Sequence, residues 1–282
     1  MKINTSILSK LFLDFSNDLK KNCNYLLRKY DLRYRKLTLK EYKFQIKEII
    51  STIENDKQII AHPNRKKVWQ KGWLENLKDY KKNRKKTSLI PKYYTARENK
   101  FFRLGGEFIY TKNKNFEIYM LDIYRNWFAK KYLSNIDYIY EFGSGSGNNL
   151  VSLADIFPKK NFFGLDFVKS SIDILNNLIG YKNVKGILFD MFKPNFNLRI
   201  KKNSAFFTIG SIEQLSGKID PILNFFIQKK PVLCINIEPD ISFYDSNKIE
   251  DYLAVRFQTK RGYTSCIYSK LKKKSEREKL KL

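Results

Sequence analysis

Three alternating glycines lie between a short apolar run and a helical stretch near the middle of the chain. The segment at residues 141–149 reads EFGSGSGNN. Glycine has no Cβ, so such a loop can turn tightly and let a ligand approach its backbone. A dinucleotide loop would read Gly-x-Gly-x-x-Gly and hold a pyrophosphate at a helix N-terminus. Here Gly143, Gly145 and Gly147 alternate behind Glu141, and the carboxylate favours a cationic or amino-bearing ligand.

Two further acids follow the next two apolar runs of the sequence. Asp166 ends the run at 161–166, where an acid can accept hydrogen bonds from the two hydroxyls of a ribose. Asp190 follows the run at 184–189, and it can accept from the amino group of an adenine while Met191 or Phe192 packs on the ring. The three acids and the loop therefore indicate a site for an adenosine-containing ligand, with an ordinary turn plus surface acids as the alternative.

The elements that must position these residues alternate between apolar runs and helical stretches. The runs lie at 136–142, 161–166, 184–189, 204–209 and 232–237, and helical patterns lie at 148–157, 169–179 and 212–228. Strands that are apolar on both faces and alternate with helices indicate a parallel sheet covered on both sides. We predict an α/β fold, with a Rossmann-like, doubly wound, mostly parallel sheet and helices on both faces. Ligands of such sheets bind outside the carboxyl ends of the strands.

The part of the chain before the first run has a different pattern. Apolar residues recur every three or four positions at 18–29, 39–54, 68–82 and 116–132, which predicts helices, and 89–94 reads as an extended stretch around Pro91. The aromatic stripe Trp69, Trp73 and Tyr80 is most simply core. We predict a basic, helical N-terminal region at 1–132 and a Rossmann-like domain with a helical, basic C-terminus at 133–282.

The segments YEFGSGSG, GLD and FDMF, in this order and spacing, resemble the motifs of class I S-adenosylmethionine-dependent methyltransferases over about residues 136–240. In that family the glycine loop wraps the methionine part of the cofactor, the second acid holds the ribose and the third holds the adenine. The resemblance implies S-adenosyl-L-methionine as cofactor. It places Glu141, Gly143, Gly145 and Gly147 at the methionine part, Asp166 at the ribose, and Asp190 with Met191 at the adenine. A nicotinamide oxidoreductase is the rival class.

A second resemblance covers about residues 68–270. The segments LIPKYY, SIEQL, NIEPDISFYD and DYLAVRFQTKRGY are similar to bacterial methyltransferases described as sugar O-methyltransferases, which occur with surface-polysaccharide genes. It implies a methyltransferase that acts on a hydroxyl of a sugar or a related small polar acceptor. Because acceptor assignment by analogy is associational, two alternatives stay open. One is a macromolecular acceptor, RNA or a peptide side-chain amide, docked on the basic ends, and the other is a non-catalytic, methyltransferase-like binding protein.

Polar residues at the ends of the fourth and fifth runs should face the acceptor. Glu238 follows an apolar run, where a buried acid is costly without a task, although a helix cap or an ion pair would explain it equally well. Glu213 could act on the acceptor or cap the helix that it begins. Arg261 and Tyr263 follow a helix at 248–257 and could reach back over the site or be structural. These four residues are the catalytic candidates.

Composition bounds the remaining possibilities. The 282 residues include 55 Lys+Arg and 28 Asp+Glu, and 43% hydrophobic content excludes a wholly disordered chain. No apolar run approaches the roughly 20 residues that span a bilayer. Cys23, Cys234 and Cys266 are far apart, so we expect no zinc site or disulfide framework and a reducing, cytoplasmic location. His62 is the single histidine, and we predict metal-independent chemistry.

The positive charge is concentrated at the two ends of the chain. Residues 1–100 carry a net charge of +16 and residues 260–282 carry +7, whereas the middle carries +4. Such ends could bind an anionic partner, or they could be a solvated surface.

The C-terminal part is short for the family that the motifs resemble. A complete class I sheet has seven strands, whereas only five apolar runs precede residue 238, and 45 residues follow the last run. We expect a final helix over Tyr263, Ile267, Tyr268 and Leu271 in place of a strand hairpin. The sheet edge would then need cover from the N-terminal helices or from a partner chain, as in a homo-oligomer.

Overall fold

The structure, a computed structural model, describes residues 1–57, 65–95 and 101–278, so His62 lies outside the described residues. Its contacts group into two units. The first unit comprises Met1–Asp56, Lys92–Asn135 and Lys248–Leu253. The second comprises Lys57–Pro91, Ile136–Asn247 and Ala254–Leu282. Residues 57–91 thus group with the parallel sheet, and the division at residue 132 stays a prediction about domains.

The described residues form eleven α-helices and eight strands. The helices are α1 (Thr5–Phe12), α2 (Ser16–Lys29), α3 (Leu39–Asn55), α4 (Arg65–Asn83), α5 (Lys92–Thr95), α6 (Phe116–Tyr132), α7 (Asn148–Ile156), α8 (Lys169–Asn176), α9 (Asp220–Lys229), α10 (Ile249–Lys260) and α11 (Ile267–Glu278). The strands are β1 (Tyr34–Lys36), β2 (Phe101–Leu104), β3 (Glu107–Thr111), β4 (Tyr138–Phe142), β5 (Asn161–Asp166), β6 (Val184–Leu188), β7 (Ser204–Ile209) and β8 (Leu233–Ile237).

The first unit combines helices with a small antiparallel sheet of order β1-β3-β2. Helix α3 begins at a capping box, in which Thr38 and Glu41 each bond the backbone of the other, and α6 has the bounds that its apolar spacing predicts. The sequence does not predict this sheet, because its strands have only three to five residues and mix basic with aromatic side chains. Alternation cannot be recognised over so few positions.

The second unit contains a five-stranded parallel sheet of order β6-β5-β4-β7-β8. Glu141 of β4 pairs with Gly164 of β5 on one side and with Phe207 of β7 on the other. The core on one face includes Phe142 and Phe206, which pack on Phe225 of α9. The predicted α/β fold class is confirmed. The chain leaves β4 in one direction for β5 and β6, and then crosses to β7, so the topological switch point lies between β4 and β7.

Two local predictions are wrong. The helix expected at 212–228 is broken into a 3-10 helix, Ile212–Leu215, and α9, because Ser216 and Gly217 adopt left-handed backbone with φ of 47° and 78°. The stretch at 89–94, expected to be extended, instead ends the 3-10 helix Lys86–Leu89 and forms most of α5. Proline fixes the φ of Pro91 itself, and that angle also suits the residue that precedes a helix.

The C-terminal part of the described chain adds helices and no strand after β8. The parallel sheet of the described residues has five strands, and the final helix that we expected is present as α11. Helix α11 begins only at Ile267, so Tyr263 precedes it in a loop and the predicted helical stripe is wrong at that residue. The left-handed backbone of Cys266, with φ of 58°, separates the loop from the helix. Cover of the sheet edge stays a prediction. None of the described helices is long and apolar enough to cross a membrane.

Candidate active site

The glycine loop leaves the carboxyl end of β4 in a conformation that side chains rarely adopt. Gly143, Gly145 and Gly147 have φ of 78°, 53° and 76°, in the left-handed region. The backbone N–H groups of Gly143 and Ser144 both donate to the carbonyl of Leu165, at 2.7 and 3.1 Å. The loop is thereby tied to the end of β5. Glycine is required at these positions for conformation as well as for space.

Trp73 of α4 packs directly on this loop. A Cβ added to Gly145 would lie 2.7 Å from the Cζ2 of the Trp73 indole, closer than real Cβ contacts allow. The Trp73 indole also stacks on Trp69, with ring centroids 5.5 Å apart. Ser146 adds a second link, because its hydroxyl donates to the carbonyl of Leu89 at 2.5 Å. Helix α4 and the segment that follows it, up to Leu89, therefore pack against the glycine loop.

Asp166 fixes the loop from the neighbouring strand. The Gly145 N–H donates to its Oδ2 at 2.9 Å, and the Val168 N–H donates to its Oδ1 at 3.0 Å. The residue is only 4% exposed, and burial raises the pKa of its carboxyl to about 6, while the backbone donors act in the opposite direction. Hydrogen bonds from the Ser171 side chain and the Phe167 backbone also favour the ionised form of this carboxyl. The ribose role predicted for Asp166 thus stays a prediction, and a loop-positioning role is added to it.

The other three predicted cofactor residues lie at the same edge of the sheet. Glu141 is 1% exposed, and its Oε1 accepts from the side-chain amide of Asn149, the second residue of α7, at 2.7 Å. Asp190 is half-buried after β6 and accepts from the Phe192 N–H at 2.9 Å. The methyl carbon of Met191 lies 3.5 Å from the position that a Cβ of Gly143 would occupy. Loop, acids and thioether are therefore gathered at the ends of β4, β5 and β6.

Glu238 lies past the end of β8 and caps the 3-10 helix Ile212–Leu215. The N–H groups of Ser211 and Ile212 donate to its Oε1, and that of Glu213 donates to its Oε2, each at 3.1 Å. Burial raises the pKa of Glu238, whereas these backbone donors and the Thr208 hydroxyl favour its ionised form. This geometry is the helix-cap alternative that the sequence left open. A catalytic role for Glu238 stays a prediction.

Glu213 is the second acid of this cluster and occupies a different environment. Burial, and then the neighbouring charge of Glu238, raise the pKa of Glu213 to about 8, and the Arg261 guanidinium acts in the opposite direction. Arg261 itself stacks over the ring of Phe257, 4.4 Å from its centroid, and donates to the Tyr263 hydroxyl at 3.3 Å. The four catalytic candidates are therefore brought together beside β7 and β8. A carboxyl with a pKa of about 8, as in Glu213, is suited to proton transfer near neutral pH.

Thr264 anchors the loop that carries Arg261 and Tyr263. Its N–H donates to the Glu213 carbonyl at 2.6 Å, and its hydroxyl donates to the Ile212 carbonyl at 2.9 Å. Sequence reasoning missed Thr264, and it assigned Trp73 to the core alone. No spacing rule would reveal Thr264, because it acts across 52 positions of sequence. The spacing of the aromatic residues is evident in the sequence, but the contact of Trp73 with Gly145 of the glycine loop is not.

We expect Glu238→Gln to lower the melting temperature by about 2–5 °C. The glutamine amide carries only one acceptor oxygen for three backbone donors, so at least one N–H loses its partner, at a cost of about 1–3 kcal/mol. Thermal unfolding followed by circular dichroism measures the shift. Glu107→Gln, at an exposed position of β3, is the matched control and should leave the melting temperature unchanged. A Glu238→Gln variant that is as stable as the wild type but inactive would instead make Glu238 catalytic.

The described residues contain no group of three or more His, Cys, Asp or Glu side chains that could hold a metal ion. No protein-family model matches the sequence. No curated protein matches it either.

Several solved structures resemble this one. PKMT2 from Rickettsia typhi, solved with AdoHcy, matches at 21% identity and a TM-score of 0.30, over 33% of this chain and 19% of its own. The plantazolicin methyltransferase BpumL, solved with a pentazolic desmethylPZN analog and SAH, matches at 13% identity and a TM-score of 0.41, over 77% of this chain and 79% of its own. The sugar N-methyltransferase KedS8 from Streptoalloteichus sp. matches at 15% identity and a TM-score of 0.34, over 43% and 48%.

The chain thus spans about a fifth of the length of PKMT2 and about half of that of KedS8. At these identities and TM-scores the likenesses carry no conclusion about what this chain binds or does. Fold likeness in general does not fix an activity, which depends on the residues of the site.

Proposed function

We propose that the chain is an S-adenosylmethionine-dependent methyltransferase that methylates a hydroxyl of a sugar or a related small polar acceptor. The observation that carries the proposal is the glycine loop at the switch point of the parallel sheet, held in left-handed backbone by the Asp166 carboxylate. Ligands of doubly wound sheets bind at this point. The half-exposed Asp190 and Met191 beyond β6 supply an acceptor and an apolar surface for an adenine.

The types of residue at the glycine loop suit S-adenosylmethionine. A Cβ at Gly143 or Gly147 would meet Ser211 or Leu175 at about 2.5 Å, so only glycine lets the loop pack as closely as it does. Asp166 lies at the loop as the proposed acceptor of the ribose hydroxyls, and Glu141, fixed by Asn149, places a carboxyl group at the end of β4. A carboxylate at this position suits the amino group of the methionine part. When bound, the cofactor supplies an electrophilic methyl group on a sulfonium.

Glu213 is the proposed general base. When bound, the cofactor would supply its methyl group to the acceptor oxygen, and its sulfur would leave as a neutral thioether. The acceptor proton passes to the Glu213 carboxylate. Because its pKa is about 8, this carboxylate is a strong enough base to accept the proton and is partly ionised near neutral pH. Arg261 favours the ionised form, and Tyr263 lies beside Arg261 as a donor for the acceptor.

Labelled methyl transfer from S-adenosylmethionine into fractionated cell extract tests the proposed acceptor. We expect label in the small-molecule or glycan fraction, insensitive to nuclease and to protease. Label that is lost on nuclease or protease treatment would indicate RNA or a protein side chain as the acceptor instead. The absence of any label, with a cofactor that binds, would support a non-catalytic binding protein.

The three cysteines are free, which is compatible with the proposed cytoplasmic location.

We expect Asp166→Ala to weaken the binding of S-adenosylmethionine by about 10- to 150-fold. The variant removes the acceptor of the Gly145 N–H and the proposed acceptor of the ribose hydroxyls, and a hydrogen bond to a charged group contributes about 1.5–3 kcal/mol. Isothermal titration calorimetry measures the affinity. Asp173→Ala, which removes an acid from the exposed side of α8, is the matched control. Equal affinities for the two variants would contradict the role given to Asp166.

A further inference from the structure

Helix α4 has a basic outward face that the proposed reaction does not use. At about 3.6 residues per turn, Lys67, Lys71, Lys78 and Lys82 fall within an arc of about 60°. All four are exposed. The arc is centred almost opposite the buried residues of the helix, which include Asn76 and Tyr80. We call these four lysines the α4 ridge.

The buried face of α4 holds the helix firmly in place. The Tyr80 hydroxyl accepts from the Ile179 N–H at 3.0 Å, and the Gln70 carbonyl accepts from the Ser170 hydroxyl at 3.1 Å. The side-chain amide of Asn76 donates to the carbonyls of Ser88 and Ile90, at 2.8 and 3.0 Å. The lysines are therefore presented at fixed intervals along a rigid helix. Because the intervals are fixed, less conformational entropy is lost when a ligand binds.

The charge of the ridge is not neutralised by its surroundings. None of its four lysines forms an ion pair with an acid in the part of the chain that the structure describes. Among the acids of α4 itself, Glu75 borders the arc, and the exposed Lys81, Arg84 and Lys85 extend the positive charge of the ridge. Such an uncompensated row of cations attracts a polyanion.

We propose that the α4 ridge binds the phosphate backbone of a double-helical nucleic acid. The ridge extends about 22 Å along the helix, at about 1.5 Å per residue, and a duplex carries about one negative charge per 1.7 Å of its axis. No aromatic side chain lies on this arc, whereas proteins that hold single strands stack bases on aromatic rings. Leu74 borders the arc about 20° outside it, and one apolar residue there is too little for a helix that inserts into a membrane surface.

Fluorescence anisotropy with labelled RNA and DNA duplexes of about 20 base pairs tests the proposal on the 282-residue chain. Four phosphate contacts predict a slope of about −3.6 in a plot of log affinity against log salt, and hence a loss of about 100-fold between 50 and 200 mM salt. Binding to either duplex supports the proposal, because the backbone is common to both. Tighter binding to the single strand of the same sequence, or to vesicles with anionic lipid, would overturn it.

A matched pair of variants distinguishes binding by the α4 ridge from attraction by the overall positive charge of the chain. Changing Lys67, Lys71, Lys78 and Lys82 together to glutamine should reduce the slope by about 3 to 4 and weaken duplex binding at least 100-fold at about 100 mM salt. Changing the exposed Lys20, Lys21, Lys43 and Lys47 to glutamine alters the net charge equally and should have little effect. Equal losses for both variants would overturn the proposal. Cofactor affinity should be the same in both, so this test is independent of the proposed methyl transfer.

Discussion

Replacing Glu213 by glutamine is expected to lower the turnover number by about 10² to 10⁴ and to leave the affinity for S-adenosylmethionine within about twofold. Glutamine keeps the shape of the side chain but cannot accept the acceptor's proton. The Glu213 N–H, which donates to Glu238, is retained in the variant. Steady-state kinetics and calorimetry measure the two quantities. Glu107→Gln controls for the loss of one carboxylate, and a Glu213→Gln variant with wild-type turnover would exclude Glu213 as the base.

The pH dependence provides a second readout of the same residue. Because the pKa of Glu213 is raised to about 8, turnover should rise as the pH rises through about 8, and this rise should be absent in Glu213→Gln. Stability should change in the opposite direction. Between about pH 4.5 and 8 the folded chain holds a proton on Glu213 that the unfolded chain has released, so stability falls as the pH rises across this window. In Glu213→Gln the corresponding part of this fall should disappear.

Replacing Gly145 by alanine is expected to weaken the binding of S-adenosylmethionine by about 10- to 100-fold. Alanine at a φ of 53° is strained by about 1–2 kcal/mol, and its Cβ would also lie 2.7 Å from the Trp73 indole. The loop must shift, and the cofactor contacts shift with it. Calorimetry measures the affinity, and circular dichroism confirms that the variant is folded.

Gly180→Ala is the matched control for this substitution. Gly180 has a φ of 84°, so alanine is strained there too, but nothing lies within 4 Å of an added Cβ. It should leave cofactor affinity unchanged. Combining Gly145→Ala with Trp73→Ala removes the clash and should restore part of the affinity, a coupling that a double-mutant cycle would measure. Gly145→Ala that binds as tightly as Gly180→Ala would contradict the role of the loop.

The parallel sheet was predictable because its strands are apolar on both faces and its loops carry glycine. The runs ending at Phe142 and Asp166 end at those residues in the structure. Burial on both faces makes each run continuous, and this signal needs no knowledge of the partner strand. The alternating glycines likewise indicate a special backbone, because no other residue adopts left-handed conformations so readily.

The features that the sequence did not predict depend on contacts between distant positions. The small antiparallel sheet pairs Tyr34 with Thr111, and strands so short have no recognisable period. The sequence could place Glu238 at a strand end, but its three backbone donors come from a turn about 25 residues away. Asp166 was predictable as an acid at the ligand edge. That it also holds the Gly145 N–H follows only from the packing of two loops.

Isothermal titration calorimetry of the 282-residue chain with S-adenosylmethionine and, separately, with NAD determines which of the two cofactors the glycine loop binds. We expect binding of S-adenosylmethionine with a dissociation constant of about 1 μM or lower, equivalent to about 8 kcal/mol, and no tight binding of NAD. A folded wild-type protein that binds no S-adenosylmethionine would exclude the proposed cofactor. Tight binding of NAD in its place would assign the glycine loop and its acids to an oxidoreductase.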